Sequence, residues 1–208
     1  MTIVTIGGDA VKITKLLSNE FPALDPVVWD LSPFIRHMHY LRKNIVFVEC
    51  DRLAVESVAE KLAIVFSKMD VYAGVKKPVL KFGSGAKEVS VVIVAREGKN
   101  RREMDGGNPK LEKCLVDLLY YAKNEVLPLP LVDVLDLWEF YLTTEGLVRF
   151  NELYRYSMRR YLGWFVSIYA YSLSKDLKTK VDSRHLRAGL KNLELIRRVV
   201  SGEGFKIA

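Results

Sequence analysis

Apolar residues in the first half of the chain alternate between helical spacing and short continuous runs. Where they recur every three or four residues they predict amphipathic helices, and where they form β-branched runs they predict buried strands. Ser32 followed by Pro33 adds a helix start, because serine caps a helix and proline fits its first turn. The predicted helices are Val11–Phe21, Pro33–Leu41 and Arg52–Phe66, the last capped by Asp51, and the predicted strands are Val27–Trp29, Ile45–Cys50, Met69–Ala73, Pro78–Phe82 and Val89–Arg96.

From residue 109 onward the spacing of apolar residues is helical throughout. Before that point the segment Glu97–Asn108 is polar and contains glycine, which predicts a loop. The pattern therefore predicts an α/β (α+β) N-terminal part with a small mixed sheet, residues 1–108, and an α-helical C-terminal part, residues 109–208, which together can pack as a single domain. The helices predicted in the second part are Pro109–Lys123, Leu129–Leu142, Val148–Leu173 and Ser183–Val200.

Composition narrows the class of protein. No segment reaches the roughly 18 uninterrupted apolar residues that a membrane span requires, and Met1–Ala10 lacks the basic start of a signal peptide, so we expect a cytoplasmic protein without a membrane contact. The two cysteines, Cys50 and Cys114, lie outside any C-x-x-C motif, which predicts buried reduced thiols. The absence of glutamine beside abundant Lys, Arg and Glu is a composition favoured by thermophiles.

The positive charge is concentrated in the last third of the chain. Residues 1–140 hold 19 basic and 19 acidic residues, whereas residues 141–208 hold 13 basic against 6 acidic ones, which accounts for the whole net charge of +7. A basic helical surface there can meet an acidic partner or a phosphate backbone. The alternative is a set of solvated helix faces.

The segment FNELYRYSMRRY, residues 150–161, combines tyrosine and arginine at helical spacing. These residue types are common on contact surfaces because they offer large area and directed hydrogen bonds. An aromatic core helix with a basic solvent face is the alternative interpretation. The candidate partner- or nucleic-acid-binding residues are Arg155, Tyr156, Arg159 and Arg160 here, with Arg184, Arg187 and Lys191 in the last predicted helix. No catalytic residue, metal ligand or cofactor is predicted.

Acidic residues beside predicted strands invite comparison with metal-dependent nucleases of the restriction-endonuclease type. Such sites hold Mg²⁺ with two carboxylates while a lysine orients water. Asp30 and Glu49 have suitable positions, but the residues after Glu49 do not supply the lysine of an acidic-x-Lys motif. A degenerate nuclease-like protein, with Lys43 or Lys81 reaching in from elsewhere, stays an alternative.

Four segments in order resemble the AbiEi-like antitoxin family over about residues 11–162. The most specific is PKLEKCLVDLL, in which Pro and Leu-Glu-Lys open a helix that continues Leu-Val-Asp-Leu-Leu. The second is FNELYRYSMRR, with its Asn-x-x-x-Leu-x-x-Tyr-x-x-Arg-Arg pattern. The other two are ITKLLSNEFPALDPVVWD and IVFVECDRLAVESVAEKL.

The resemblance implies a component of a type IV toxin-antitoxin or abortive-infection system, whose toxin is a nucleotidyltransferase encoded beside it. Members of that family usually carry an N-terminal winged helix for operator binding, whereas the matching residues here begin at residue 11. We therefore expect an antitoxin-type domain without an evident winged helix. The expected function is that of a non-enzymatic antitoxin-like protein acting on a protein partner, and direct nucleic-acid binding by the basic C-terminal helices is the alternative.

Overall fold

A computed structural model describes residues 7–38, 44–74, 87, 89–96, 104–105, 108–124, 130–144, 147–177, 187, 190 and 191. The strands form a small mixed sheet in the N-terminal half and helices fill the C-terminal half, so the predicted α+β class is confirmed. The helices are α1 (Gly8–Glu20), α2 (Val55–Val65), α3 (Leu111–Lys123), α4 (Leu131–Thr143), α5 (Phe150–Arg159) and α6 (Gly163–Leu177). The strands are β1 (Val27–Asp30), β2 (Asn44–Cys50), β3 (Met69–Ala73), β4 (Val89–Ala95), β5 (Met104–Asp105) and β6 (Asn108–Pro109).

The main sheet has the strand order β1-β2-β4-β3. Strand β1 runs antiparallel to β2, while β2 and β3 both run parallel to β4. Strands β2 and β4 are central: β2 is buried from Ile45 to Cys50 and β4 from Ser90 to Ile93. Their continuous apolar sequences are typical of strands in that position, as the sequence pattern predicted.

One face of the sheet packs against α1 and α2. The apolar side chains of these helices recur at three- and four-residue spacing and are buried at Ala10, Ile13 and Leu17 in α1. The same spacing appears in α2, which begins after a 3-10 turn at Arg52–Ala54. As predicted, Asp51 caps this turn, since its carboxylate accepts a hydrogen bond from the Leu53 N–H at 3.0 Å. The sheet residues in this core are Val28, Val46, Val48, Cys50, Val91 and Ile93.

The opposite face of the sheet packs against α3 through aromatic rings. Trp29 in β1 stacks on its cross-strand partner Phe47 in β2 with ring centres 4.1 Å apart. Phe47 in turn stacks on Tyr121 of α3 at 5.3 Å. Because these rings are buried, they fix the position of α3 over the sheet.

The chain divides into two compact units, Thr2–Trp138 and Glu139–Ala208, and the division lies within α4. Helix α3 belongs to the first unit because it packs against the sheet, and Trp138 joins the same unit by donating a hydrogen bond from Nε1 to the Leu115 carbonyl at 3.0 Å. The division therefore lies after residue 138, whereas the sequence pattern predicted a change of character after residue 108.

The predicted helix Pro33–Leu41 is wrong over the residues that the structure describes. It is reduced to a 3-10 turn at Ile35–His37, after which Met38 is extended, with φ −111° and ψ 113°. Phe34 lies directly before this turn and Met38 directly after it, and both side chains are buried. The serine-proline start signal was therefore followed by one turn rather than a full helix.

Other predictions lie partly or wholly outside the described residues. These are the strand Pro78–Phe82, most of the loop Glu97–Asn108 and most of the helix Ser183–Val200. Within the predicted loop, β5 pairs antiparallel with β6, so Pro109 belongs to a short strand rather than to the first turn of α3. In the part of the chain with described structure, no helix combines the length and apolar character needed to cross a membrane.

Both cysteines are free and buried, which confirms the prediction of reduced, buried thiols. Burial, reinforced by the charge of Asp51, raises the pKa of Cys50 to about 11. Burial also raises the pKa of Cys114 well above its usual value. The thiolate is the reactive form, so both thiols are protected from reaction by their environment.

We expect iodoacetamide at pH 8 to label neither cysteine at an appreciable rate in the folded protein and both of them in guanidinium.

Because the folded pKa of Cys50 lies above its unfolded value, the contribution of this thiol to the free energy of unfolding is complete below about pH 9 and is lost as the pH rises towards 11. Denaturant titrations at pH 8 and pH 10.5, with Cys50→Ala as control, measure this; an equal decline in both proteins would contradict it.

Candidate functional site

A buried ion cluster joins α3 to the sheet. The ammonium group of Lys113 contacts Glu49 Oε1 from β2 and lies 2.6 Å from Asp117 Oδ2, one turn further along α3. Trp29 Nε1 also donates to Glu49 Oε1, at 2.8 Å. The Lys113, Glu49 and Asp117 side chains are each 4% exposed, so the cluster lies in the interior.

The charges of this cluster depend on one another. Burial by itself lowers the pKa of Lys113, but the neighbouring carboxylates of Asp117 and Glu49 outweigh that effect and hold the pKa above its ordinary value. Lys113 is therefore a protonated cation at neutral pH. A lysine in this state serves as a hydrogen-bond donor and counter-ion, and it is a poor nucleophile or general base.

Asp30 occupies a separate buried site at the end of β1. Its carboxylate accepts hydrogen bonds from the Gly7 N–H at 2.9 Å, from Ser32 Oγ at 2.7 Å and from Asn44 Nδ2 at 3.4 Å. It thereby ties the residue that precedes α1 to the sheet. Gly7 has no room for a side chain here, since a Cβ would lie 2.5 Å from Asp30 Oδ2.

Asp30 and Glu49 do not form a shared metal site. In the register of β1 and β2, Asp30 pairs with Val46 and Glu49 pairs with Val27, which places the two carboxylates on opposite faces of the sheet. Asp30 accepts a hydrogen bond from Gly7, which precedes α1, whereas Glu49 accepts one from Lys113 of α3. Among the described residues, no group of three or more His, Cys, Asp or Glu side chains is placed to hold a metal ion.

The lysine beside Glu49 is Lys113, which was not predicted from the sequence. It comes from α3, 64 residues further along the chain, rather than from the strand itself. Lys43 and Lys81, the alternatives considered from sequence, lie outside the described residues. A usable signal was present, because Lys113 and Asp117 are four apart in a helix whose other residues are largely apolar.

The second candidate site is on α5, where two arginines lie against a tyrosine ring. The guanidinium carbons of Arg155 and Arg159 lie 5.3 Å and 5.6 Å from the ring centre of Tyr156. Tyr156 is 3% exposed, so its ring supports the two arginines from beneath, and its contact with a partner stays a prediction. Arg155 also forms an ion pair with Glu152, Arg159 is exposed and Arg160 is half-buried.

The predicted single helix Val148–Leu173 is interrupted by a turn between α5 and α6. The Leu162 N–H donates to the Ser157 carbonyl at 2.8 Å and the Tyr161 N–H to the Met158 carbonyl at 3.2 Å, the two hydrogen bonds of a Schellman helix end. Tyr161 has φ +56°, the left-handed conformation that this motif requires. Gly163 begins α6 directly after this turn, and a Cβ there would meet the Met158 side chain, which would have to move aside.

Three large side chains in and beside this turn are exposed. Met158 is 55% exposed, Tyr161 89% and Trp164 43%. With the exposed Arg159 they form a surface that we call the α5–α6 corner, comprising Met158, Arg159, Tyr161 and Trp164. Of these four residues, only Arg159 is among the candidates predicted from the sequence.

The remaining candidate residues are separate from the α5–α6 corner in the sequence. Arg187 and Lys191 are helical and exposed, and they lie four residues apart, which is one turn of a helix. Arg184 lies outside the described residues. The structure thus describes two of the three predicted cations of the last helix.

Replacing Lys113 by methionine tests the role of the ion cluster. The substitution leaves two buried carboxylates without their counter-ion, and we expect a loss of about 3–5 kcal/mol in the free energy of unfolding. Lys12→Met, which removes an exposed ion pair with Asp9, is the control and should cost about 1 kcal/mol or less. A Lys113→Met loss as small as the control's would contradict the assignment.

Comparisons with known proteins give one match. No curated protein and no solved structure matches this chain at a significant level. The resemblance to AbiEi-like antitoxins therefore stays a prediction. The model of a family of unknown function, DUF6577, matches residues 5–166, which include the sheet, the ion cluster and the α5–α6 corner. The chain belongs to the DUF6577 family.

Proposed function

We propose that this chain is a non-enzymatic, antitoxin-like protein that counteracts or regulates a nucleotidyltransferase-type toxin by binding it directly. The sequence resemblance over about residues 11–162 supplies the class of partner. The observation that carries the binding site is the arrangement on α5, where Arg155 and Arg159 are held over the buried ring of Tyr156. The α5 surface is therefore the proposed binding surface.

The arginines of α5 are suited to an acidic partner. A guanidinium group forms two parallel hydrogen bonds with a carboxylate, and it loses less conformational freedom on binding when it is already held in place. Contact with Tyr156 restricts both side chains, and the ion pair with Glu152 further restricts Arg155. Such preorganised arginines are frequent among the residues that dominate binding energy in protein interfaces.

The polar residues of the other unit support a non-catalytic role. Glu49 and Asp117 neutralise Lys113 in the interior, and Asp30 accepts hydrogen bonds from Gly7, Ser32 and Asn44. These groups are engaged in holding α1 and α3 on the sheet. We therefore assign them to stability and place the binding function on α5.

Charge reversal at Arg155 and Arg159 tests the proposed function. We expect the double variant Arg155→Glu, Arg159→Glu to bind a purified nucleotidyltransferase-type toxin, which the resemblance implies is encoded beside this chain, at least about thirtyfold more weakly, since loss of one dominant contact costs about 2 kcal/mol. Isothermal titration gives the affinity, and circular dichroism checks the fold. The control is Lys12→Glu, Lys15→Glu on the exposed side of α1, which carries the same charge change. Unchanged affinity in the folded double variant would count against the proposal.

A second candidate function is direct nucleic-acid binding by the basic C-terminal helices. The specific observation in its favour is the exposed pair Arg187 and Lys191, in a segment that carries the whole net charge of the chain. This function predicts strong dependence on salt, because binding releases the counter-ions of the phosphates.

For six phosphate contacts the logarithm of the binding constant should fall with the logarithm of salt concentration at a slope of about −5. Replacing Arg187 and Lys191 by Ala should make that slope shallower by about 1 for each cation removed. Fluorescence anisotropy with a labelled DNA duplex at several salt concentrations measures both slopes. A flat salt dependence would remove this second candidate.

A further inference from the structure

Tyr161 adopts a backbone conformation that disfavours its side chain. With φ +56° it occupies the left-handed position that follows a helix in a Schellman motif. Glycine is the usual residue there, because a Cβ atom is crowded in this conformation and a bulky residue is uncommon. The turn would therefore form more easily with glycine than with the tyrosine that is present.

Packing within the fold does not account for this tyrosine. Its side chain is 89% exposed, so it buries little apolar surface in return for the unfavourable backbone conformation. Strained residues of this kind are concentrated at binding and catalytic sites, where the exposed group has a use. The combination of strain and exposure indicates that the ring of Tyr161 is displayed for contact.

The surroundings of Tyr161 have the composition of a protein-binding surface. Met158 and Trp164 are exposed three residues before and three residues after Tyr161, and Arg159 is exposed two residues before it. Trp, Tyr and Arg are the residue types most enriched among dominant contacts in protein interfaces. Residues 147–163 contain four arginines and one glutamate, so a complementary surface must be acidic.

We infer that the α5–α6 corner anchors the partner, and that the surface it fits is an acidic protein surface with an apolar pocket that takes the Tyr161 ring. This inference rests on the proposed function, because it names the anchor of the same binding surface. An apolar thioether at Met158 beside the two rings favours a protein over single-stranded nucleic acid, whose bases would stack on aromatic rings and whose phosphates would need cations.

Substitutions at Tyr161 distinguish the contribution of its ring to binding from that of the backbone conformation of the turn. Tyr161→Gly removes the ring and relieves the left-handed strain, whereas Tyr161→Ala removes the ring and keeps the strain. We expect both variants to bind the neighbouring nucleotidyltransferase at least tenfold more weakly than the wild type. The melting temperature of Tyr161→Gly should be no lower than that of the wild type, and Tyr161→Phe, which keeps the ring, should bind within about threefold of it.

Leu53→Ala is the matched control, because Leu53 is a 92% exposed apolar side chain in the other unit. It should leave the affinity unchanged. Glycine at position 161 preserves the geometry of the turn and removes the ring. If Tyr161→Gly binds as tightly as the wild type, the ring is not the anchor and the inference is overturned. Weaker binding by the Arg155 and Arg159 reversal would still support the proposed function in that case. Failure of the wild-type chain to bind the nucleotidyltransferase would overturn both.

A labelled oligothymidine provides the remaining arm of the experiment. If Tyr161→Gly weakens binding of this oligonucleotide and leaves the affinity for the nucleotidyltransferase unchanged, the corner is a nucleic-acid site and the inference is overturned. A loss of nucleotidyltransferase affinity with unchanged oligonucleotide binding supports it.

Discussion

The Lys113 ammonium group, buried between two carboxylates, is the interaction on which the α/β unit depends. It connects β2 to α3 through Glu49 and Asp117, and the indole of Trp29 completes the hydrogen bonding of Glu49. Buried charges are costly unless paired, so these residues constrain where α3 can lie on the sheet. The stacked rings of Trp29, Phe47 and Tyr121 extend the same contact along α3 with apolar surface.

The elements that form from residues close together in the chain could be predicted from the sequence. The runs in β2, β3 and β4 and the spacing in α1 and α2 are local patterns, and each element lies within a few residues of its predicted bounds. The contact of Lys113 with Glu49 could not be predicted in this way, because it joins residues 64 positions apart and depends on the register of β1 with β2 and on the placement of α3.

The candidate site was predicted in part. Arg155 and Arg159 are on the α5 surface as helical spacing indicated, whereas Tyr156 is buried beneath them. The display of Tyr161 could not be read from local propensity, since a tyrosine within a helical pattern favours continuation of the helix. The helix ends in a Schellman turn in which Leu162 is buried, and this burial depends on the packed structure.

Affinity capture from its native cells tests the proposal that this chain acts by binding a nucleotidyltransferase. The tagged chain is recovered with and without nuclease treatment, and the bound material is analysed by mass spectrometry and nucleic-acid staining. We expect a nucleotidyltransferase to be recovered in equal amounts under both conditions. Recovery of nucleic acid alone, lost after nuclease treatment, would contradict it.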